Sequence, residues 1–145
     1  MNDSFKLDQQ LCFEVYKASS NFAKMYARIL EPFNLTFSQY LVLVVLWEED
    51  HLFMKDIGER LGLGTGTLNP IINRMIENNY LTKQQSTTDK RAFVISLTEL
   101  AKINHTPIER GIVDKLTSFN FADVNPIIIM NNLKKLNAFF GEMDL

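Results

Sequence analysis

Cysteine is almost missing from this 145-residue chain: Cys12 is the only one. No disulfide can close within the chain, so Cys12 is a core thiol, a reactive thiol or half of a bond between chains. One cysteine and two distant histidines, His51 and His105, cannot make a local four-ligand zinc cluster; no metal and no cofactor is implied. Long hydrophobic runs are also missing. The longest, Leu41 to Trp47, is far too short to span a bilayer, and the opening MNDSFKLDQQ lacks the apolar stretch of a secretory signal. The expectation is a cytoplasmic protein with no membrane partner. An excess of positive charge is absent too, the formal net charge being −2. That average hides an asymmetry. Met54 to Arg91 carries six Lys and Arg against four Asp and Glu, so the middle is mildly basic and the flanks are acidic. A footprint on DNA is permitted but not demanded.

What remains is an ordinary globular composition, 46% hydrophobic and 22% charged, in a chain sized for one domain with a real core. Leu11, Val15, Phe22, Tyr26 and Ile29 recur at helical spacings, which predicts a helix from Asp8, as N-cap, to Leu30. Pro32 breaks it. Thr36 or Ser38 caps a second helix through Trp47, apolar nearly all round and so expected to be the buried central helix. Leu52 to Met54 is a candidate short strand. Lys55 to Leu61 reads as a short helix, Gly62-Leu63-Gly64 as a turn, and Thr65 to Asn78 as a further helix, with Thr65 or Thr67 as cap and Pro70 in its first turn. Tyr80 to Gln84 and Ala92 to Leu97 form a hairpin around the polar tip Ser86 to Lys90. Thr98-Glu99 opens a helix to about Leu116, kinked at Pro107, and a last helix covers about Val124 to Phe140.

Helix, glycine turn, helix and hairpin spell a winged helix-turn-helix. The fold class is therefore mainly α with a small β-hairpin. Residues 35–97 form the DNA-binding module, with the wing at about 80–97. The helices of 8–34 and 98–145 carry more apolar surface than such a module needs and are expected to make a homodimer. In the module, Thr65, Thr67, Asn69 and Asn73 suit phosphate and base-edge contacts, and Arg74 can reach phosphate. On an isolated helix they would be capping residues on a solvated face; beside a wing they read as a DNA contact. Gly62-Leu63-Gly64-Thr65-Gly66 is not a phosphate loop, since no long strand precedes it and no Gly-Lys-Thr/Ser ending follows.

Several segments, in order and at the right spacing, resemble the MarR family of bacterial transcriptional regulators. Within it they resemble the organic-hydroperoxide and thiol-redox sensors, the OhrR/SarZ branch. The segments are Leu7-Asp8-Gln9-Gln10-Leu11-Cys12-Phe13, Leu35-Thr36-Phe37-Ser38-Gln39-Tyr40-Leu41, Ile57-Gly58-Glu59-Arg60-Leu61, Gly66-Thr67-Leu68-Asn69-Pro70, Asp89-Lys90-Arg91 and Ile95-Ser96-Leu97-Thr98-Glu99. Beyond about Lys102 the likeness is one of helical character only. The resemblance implies a double-stranded DNA operator as partner. Arg91 would enter the minor groove with Asp89 steadying its guanidinium, and Lys83 and Lys90 would add phosphate attraction. Two departures stand out. The branch usually has Asp-Ser-Gly-Thr-Leu-Thr-Pro where this chain has Gly64 to Pro70, which bears on operator preference. Phe37 replaces a tyrosine.

The resemblance also assigns Cys12 a redox role, with Tyr26 steadying its thiolate. A free cysteine taken alone reads as a small buried hydrophobe; the first turn of a helix, where anions are favoured, suits a thiolate. Tyr26 lies fourteen residues beyond Cys12, about 21 Å along one straight helix, so the two can meet only across two antiparallel copies. Tyr16 and Tyr40 are polar-tipped neighbours or core residues. With no second cysteine, the expected route is sulfenic acid, then a mixed disulfide with a low-molecular-weight thiol, or overoxidation. Two alternatives remain: a regulator of the same family switched by a small phenolic ligand, and a thiol peroxidase with Cys12 as nucleophile. The latter lacks a resolving cysteine and an early arginine, none preceding Arg28.

Overall fold

The computed structural model describes residues 5–118 and 123–143; residues 119–122 and 144–145 of the expected dimerisation segment 98–145 lie outside them. Helix α1 covers Leu11–Leu30 and α2 covers Phe37–Glu48. Strand β1 (Leu52–Phe53) leads into α3 (Met54–Leu61) and α4 (Thr65–Glu77). Strands β2 (Leu81–Gln85) and β3 (Phe93–Leu97) make the hairpin. The helices α5 (Glu99–Ile103), α6 (His105–Ser118) and α7 (Pro126–Glu142) follow. The short strand pairs as expected: β1 joins β3 antiparallel, giving the order β1-β3-β2, with Leu52 opposite Ile95 and Leu81 opposite Leu97.

The chain divides into two compact units, residues 1–112 and 113–145. In the first, α2 is the central helix. It packs against α1, α3, α4 and β3 and buries Val42, Leu43, Val45 and Leu46. Each such side chain is worth about 1.5–3 kcal/mol of burial. Its start is set by a capping box: the Thr36 Oγ1 accepts from the Gln39 N–H at 3.3 Å, and the Gln39 Oε1 accepts from the Thr36 N–H at 3.0 Å. Leu30, Ile57, Leu68, Ile72, Met75 and Ile95 complete the core. In the second unit α7 starts with Pro126 behind an Asn125 cap and buries none of its residues. Among the described residues no single helix is long and apolar enough to cross a membrane.

Four local expectations need correction. Gln10, not Asp8, precedes α1; Asp8 sits in a 3-10 turn, Leu7–Gln9. Gly64 is the N-cap of α4, so neither Thr65 nor Thr67 caps it. Pro70 is the sixth residue of α4 rather than part of its first turn. There it lacks the N–H that would bond to the Gly66 carbonyl. The break after the hairpin falls at Asn104, between α5 and α6, not at Pro107. Pro107 is the third residue of α6, where its N–H would have no helical acceptor anyway.

Two contacts hold the module's corners. The Tyr80 hydroxyl donates to the Phe33 carbonyl at 2.5 Å and accepts from the Asn104 Nδ2 at 3.0 Å, joining the α1–α2 loop, the base of the hairpin and the α5–α6 break. In the turn between α3 and α4, Gly62 is left-handed at φ 70° and the Leu63 N–H bonds back to the Gly58 carbonyl at 2.9 Å. A Cβ on Gly58 would lie 2.7 Å from the Leu63 carbonyl oxygen. Gly58→Ala is therefore expected to lower unfolding free energy by about 1–3 kcal/mol, as overpacking does. Tyr80→Phe is expected to cost about 1–3 kcal/mol through its unpaired partners. Urea titration of each variant checks both; unchanged midpoints would contradict the packing described.

Candidate nucleic-acid interface and thiol site

Helix α4 has two faces. Leu68, Ile72 and Met75 are buried, whereas Gly66, Pro70, Asn73 and Arg74 are exposed. Because Gly64 caps the helix through its backbone, the Thr67 and Leu68 N–H groups bond to its carbonyl at 3.1 and 3.0 Å. The Thr65 and Thr67 hydroxyls are left unused among the described residues, free for an outside partner. Between α4 and the wing lies a cleft of about 400 Å³, lined among others by Thr65, Asn69, Lys55, Lys83 and Arg91. Three cations thus converge with two polar α4 side chains. Lys83 stands over the Phe93 ring, Nζ 4.5 Å from its centroid, an arrangement that aims the ammonium while leaving its charge available.

The wing tip is ordered by its own polar groups. The Ser86 Oγ accepts from the Thr88 and Asp89 N–H groups at 3.2 and 3.3 Å, and the Gln85 Nε2 donates to the Lys90 carbonyl at 2.6 Å. Asp89 holds Arg91 mainly by the backbone: its Oδ1 accepts the Arg91 N–H at 3.0 Å, while the guanidinium Nε stands 3.8 Å away. The Arg91 side chain is 96% exposed, projecting from the tip. Lys55, Gln85 and Ser86 are contributors that sequence reasoning missed. Lys55 registers in the sequence as charge alone, and only the fold brings it to this cleft.

The thiol-site residues separate into two groups. Tyr26, Phe37 and Tyr40 come together: the Tyr26 ring lies 4.7 Å from Phe37 and 5.7 Å from Tyr40. The contact continues from Tyr40 to Trp47, at 6.2 Å, and from Trp47 to His105, stacked at 4.1 Å. The Trp47 indole N–H donates to the Ala101 carbonyl at 3.2 Å. Burial raises the Tyr26 hydroxyl above the ordinary tyrosine range. Tyr40 is raised by burial first, then by Tyr26 and Glu109. Both hydroxyls therefore remain proton donors well past neutral pH. Cys12 and Tyr16 stand apart from this group. Cys12 is exposed in the first turn of α1, with its Sγ 3.9 Å from the Gln10 Oε1, and Tyr16 is 71% exposed. Within one chain α1 is continuous, so Cys12 and Tyr26 lie at opposite ends of it.

Comparison with known proteins gives the family. Over 97 residues the chain is 43% identical to the organic hydroperoxide resistance transcriptional regulator of Bacillus subtilis (strain 168), a match covering 67% of this chain and 66%, just under two thirds, of that one. It is 33% identical over 128 residues to the HTH-type transcriptional regulator SarZ of Staphylococcus aureus, covering 88% of this chain and 86% of SarZ. Among solved structures, overoxidized AbfR bound to DNA superposes with a TM-score of 0.81 at 30% identity, covering 93% of each chain; AbfR is a Staphylococcus epidermidis protein. Residues 24–105, the stretch holding the aromatic cluster, α4 and the wing, match the family described as transcriptional regulator SarA/Rot, and the chain belongs to that family of winged-helix, MarR-like regulators.

Proposed function

We propose that two copies of this chain form a DNA-binding transcriptional regulator whose hold on its operator is switched by oxidation of Cys12. The cleft between α4 and the wing carries the DNA reading. Lys55, Lys83 and Arg91 gather there beside Thr65 and Asn69, which supplies both phosphate attraction and groups able to reach base edges. Asn73 and Arg74 extend the same surface. Arg91, at the tip of the wing, is placed to enter a minor groove, with Lys90 beside it.

Helix α1 carries the switch. Fourteen residues are close to four helical turns, so Cys12 and Tyr26 share one side of α1 at its two ends. A second α1 laid antiparallel brings each Cys12 to the other chain's Tyr26, Phe37 and Tyr40. Exposed Leu11, Val15 and Phe22 offer apolar surface for that pairing; in the second unit, Ile127, Ile128 and Met130 of α7 are exposed as well. Tyr26 and Tyr40, held as O–H donors, can steady an anionic sulfur; Phe37 brings no hydroxyl. Residues 8–34 and 98–145 thus serve dimerisation and 35–97 serves DNA.

The thiolate attacks the outer oxygen of a hydroperoxide. An S–O bond forms, the O–O bond breaks, the alkoxide leaves and takes a proton from water to become an alcohol, and Cys12 becomes a sulfenic acid. A small thiol then attacks that sulfur, water leaves, and a mixed disulfide remains. Overoxidized AbfR is solved bound to DNA. We assign release to the bulk of the mixed disulfide at the dimer seam. It displaces two recognition helices that must fit half-sites about one DNA turn apart. The expected sense is repression, relieved by oxidation.

An operator selected from a random pool provides the test. Hydroperoxide with a small thiol should release the wild-type chain and leave Cys12→Ser bound, with peroxide consumed once per chain rather than catalytically. If the two respond alike, or a phenolic ligand releases both without oxidant, the switch is a ligand and not the sulfur.

A further inference from the structure

The aromatic contacts of the thiol-site group do not stop at the tyrosines. Phe37, Tyr26, Tyr40, Trp47 and His105 form one row, ring to ring, at 4.7, 5.7, 6.2 and 4.1 Å. The row crosses from α1 through α2 to the start of α6. Its last member is the one ring among them that changes charge near neutral pH. His105 lies almost parallel to the Trp47 indole, at 12°. Its Nε2 stands 2.6 Å from the Glu109 Oε1, one turn further along α6. The indole is itself held by its bond to the Ala101 carbonyl. The imidazole is therefore fixed twice, its face on the indole and its edge on a carboxylate.

Glu109 faces in two directions. Besides meeting His105, its charge acts on the Tyr40 hydroxyl, which it helps to raise after burial and Tyr26. Other charges nearby have partners of their own. Lys102 of α5 stands 3.7 Å from Glu99, and Glu48, next to Trp47, pairs with Arg60. From α2 the groups beside the pair are Trp47 and Tyr40, and from α1 Tyr26 is reached through Tyr40. With His105 neutral, Glu109 presents a full negative charge, which disfavours a second anion in contact with Tyr40. With His105 protonated, that charge is largely cancelled. Tyr40 then donates more strongly, and an anion accepting from it is better tolerated.

We propose that His105 and Glu109 are positioning residues for the thiol chemistry: through Tyr40 they make the Cys12 of the other copy more reactive when His105 is protonated. This rests on the redox reading above. Neither residue touches the sulfur. A thiol loses its reactive thiolate on acidification; His105, gaining a proton over the same range, returns part of that loss. The sensor therefore keeps its response to hydroperoxide as the surroundings turn mildly acidic.

The test is the rate at which cumene hydroperoxide consumes the Cys12 thiol of the whole chain between about pH 5.5 and 8.5, where histidine titrates. Wild type is compared with His105→Gln, Glu109→Gln, Tyr40→Phe, the double variant Tyr40→Phe with His105→Gln, and Glu59→Gln, which removes an equal charge from α3. Wild type and His105→Gln should match at the alkaline end and separate on acidification, wild type becoming about two- to threefold faster. Glu109→Gln should be about twofold faster than wild type at the alkaline end, and Glu59→Gln unchanged. Removing His105 from Tyr40→Phe should have no pH-dependent effect. Trp47, the single tryptophan, reads the same proton independently: a protonated imidazole stacked on an indole quenches it, so emission should fall on acidification in wild type and not in His105→Gln. Thermal melting of each variant confirms the fold. A ratio of wild type to His105→Gln that stays constant with pH makes His105 a packing residue and overturns the proposal. A ratio that varies equally in the Tyr40→Phe background also overturns it, since the charge then bypasses Tyr40. In both cases the redox reading survives. If hydroperoxide leaves the Cys12 thiol intact at every pH, the redox reading itself fails, and the proposal with it.

Discussion

Helix α1 runs unbroken for 20 residues, about 30 Å, and its stiffness separates the sulfur from the aromatic hydroxyls that could steady it. Cys12 is exposed at one end, whereas Tyr26 is packed on Phe37 and Tyr40 near the other. No rotamer change closes that distance. A thiol site of this composition exists only when two copies of α1 lie side by side, so the proposed sensing depends on dimerisation. The C-terminal end of α1 is anchored in the core by Leu30, fully buried, so on the proposed reading a displacement at the seam is carried into the DNA-binding module.

On the DNA side the organising feature is the contrast between the two faces of α4. Its apolar strip fastens it to α2 and β2, while the outward strip is built of Gly66, Pro70 and Asn73, short side chains that let a backbone or base edge approach closely. Charge is kept off that strip and placed beside it, with Lys55, Lys83 and Arg91 on the wing side. On the proposed reading, flanking cations meet phosphate and central polar groups meet bases. This division also explains how a chain of net charge −2 can bind a polyanion: the distribution matters and the total does not.

Much of this is legible in the sequence, and the parts that are not have physical reasons. Periodicity locates α1, α2 and α4 to within a few residues, because their buried stripes repeat at helical spacing. The two-residue strand β1 is legible as an apolar pair next to a helix start, although nothing local shows that it pairs with β3. Caps are harder. Thr65 and Thr67 have the right chemistry for capping, but the backbone turns extended one residue earlier, at Gly64. Pro107 marks a break in the sequence, but in its actual place near the start of α6 it costs no hydrogen bond. The convergence of Lys55 with the wing depends on tertiary packing. No spacing rule reports which cations share a cleft. The separation of Cys12 from Tyr26, in contrast, follows from counting residues on one helix.

The pairing of α1 with its counterpart is the claim on which the account turns, and disulfide trapping tests it most directly. A Tyr26→Cys variant that keeps Cys12 should, under mild oxidation, give a covalent dimer on a non-reducing gel. Adding Cys12→Ser to the same variant should abolish it. A chain that stays monomeric in solution, or a dimer in which Cys12 and the substituted position fail to cross-link, would contradict the account.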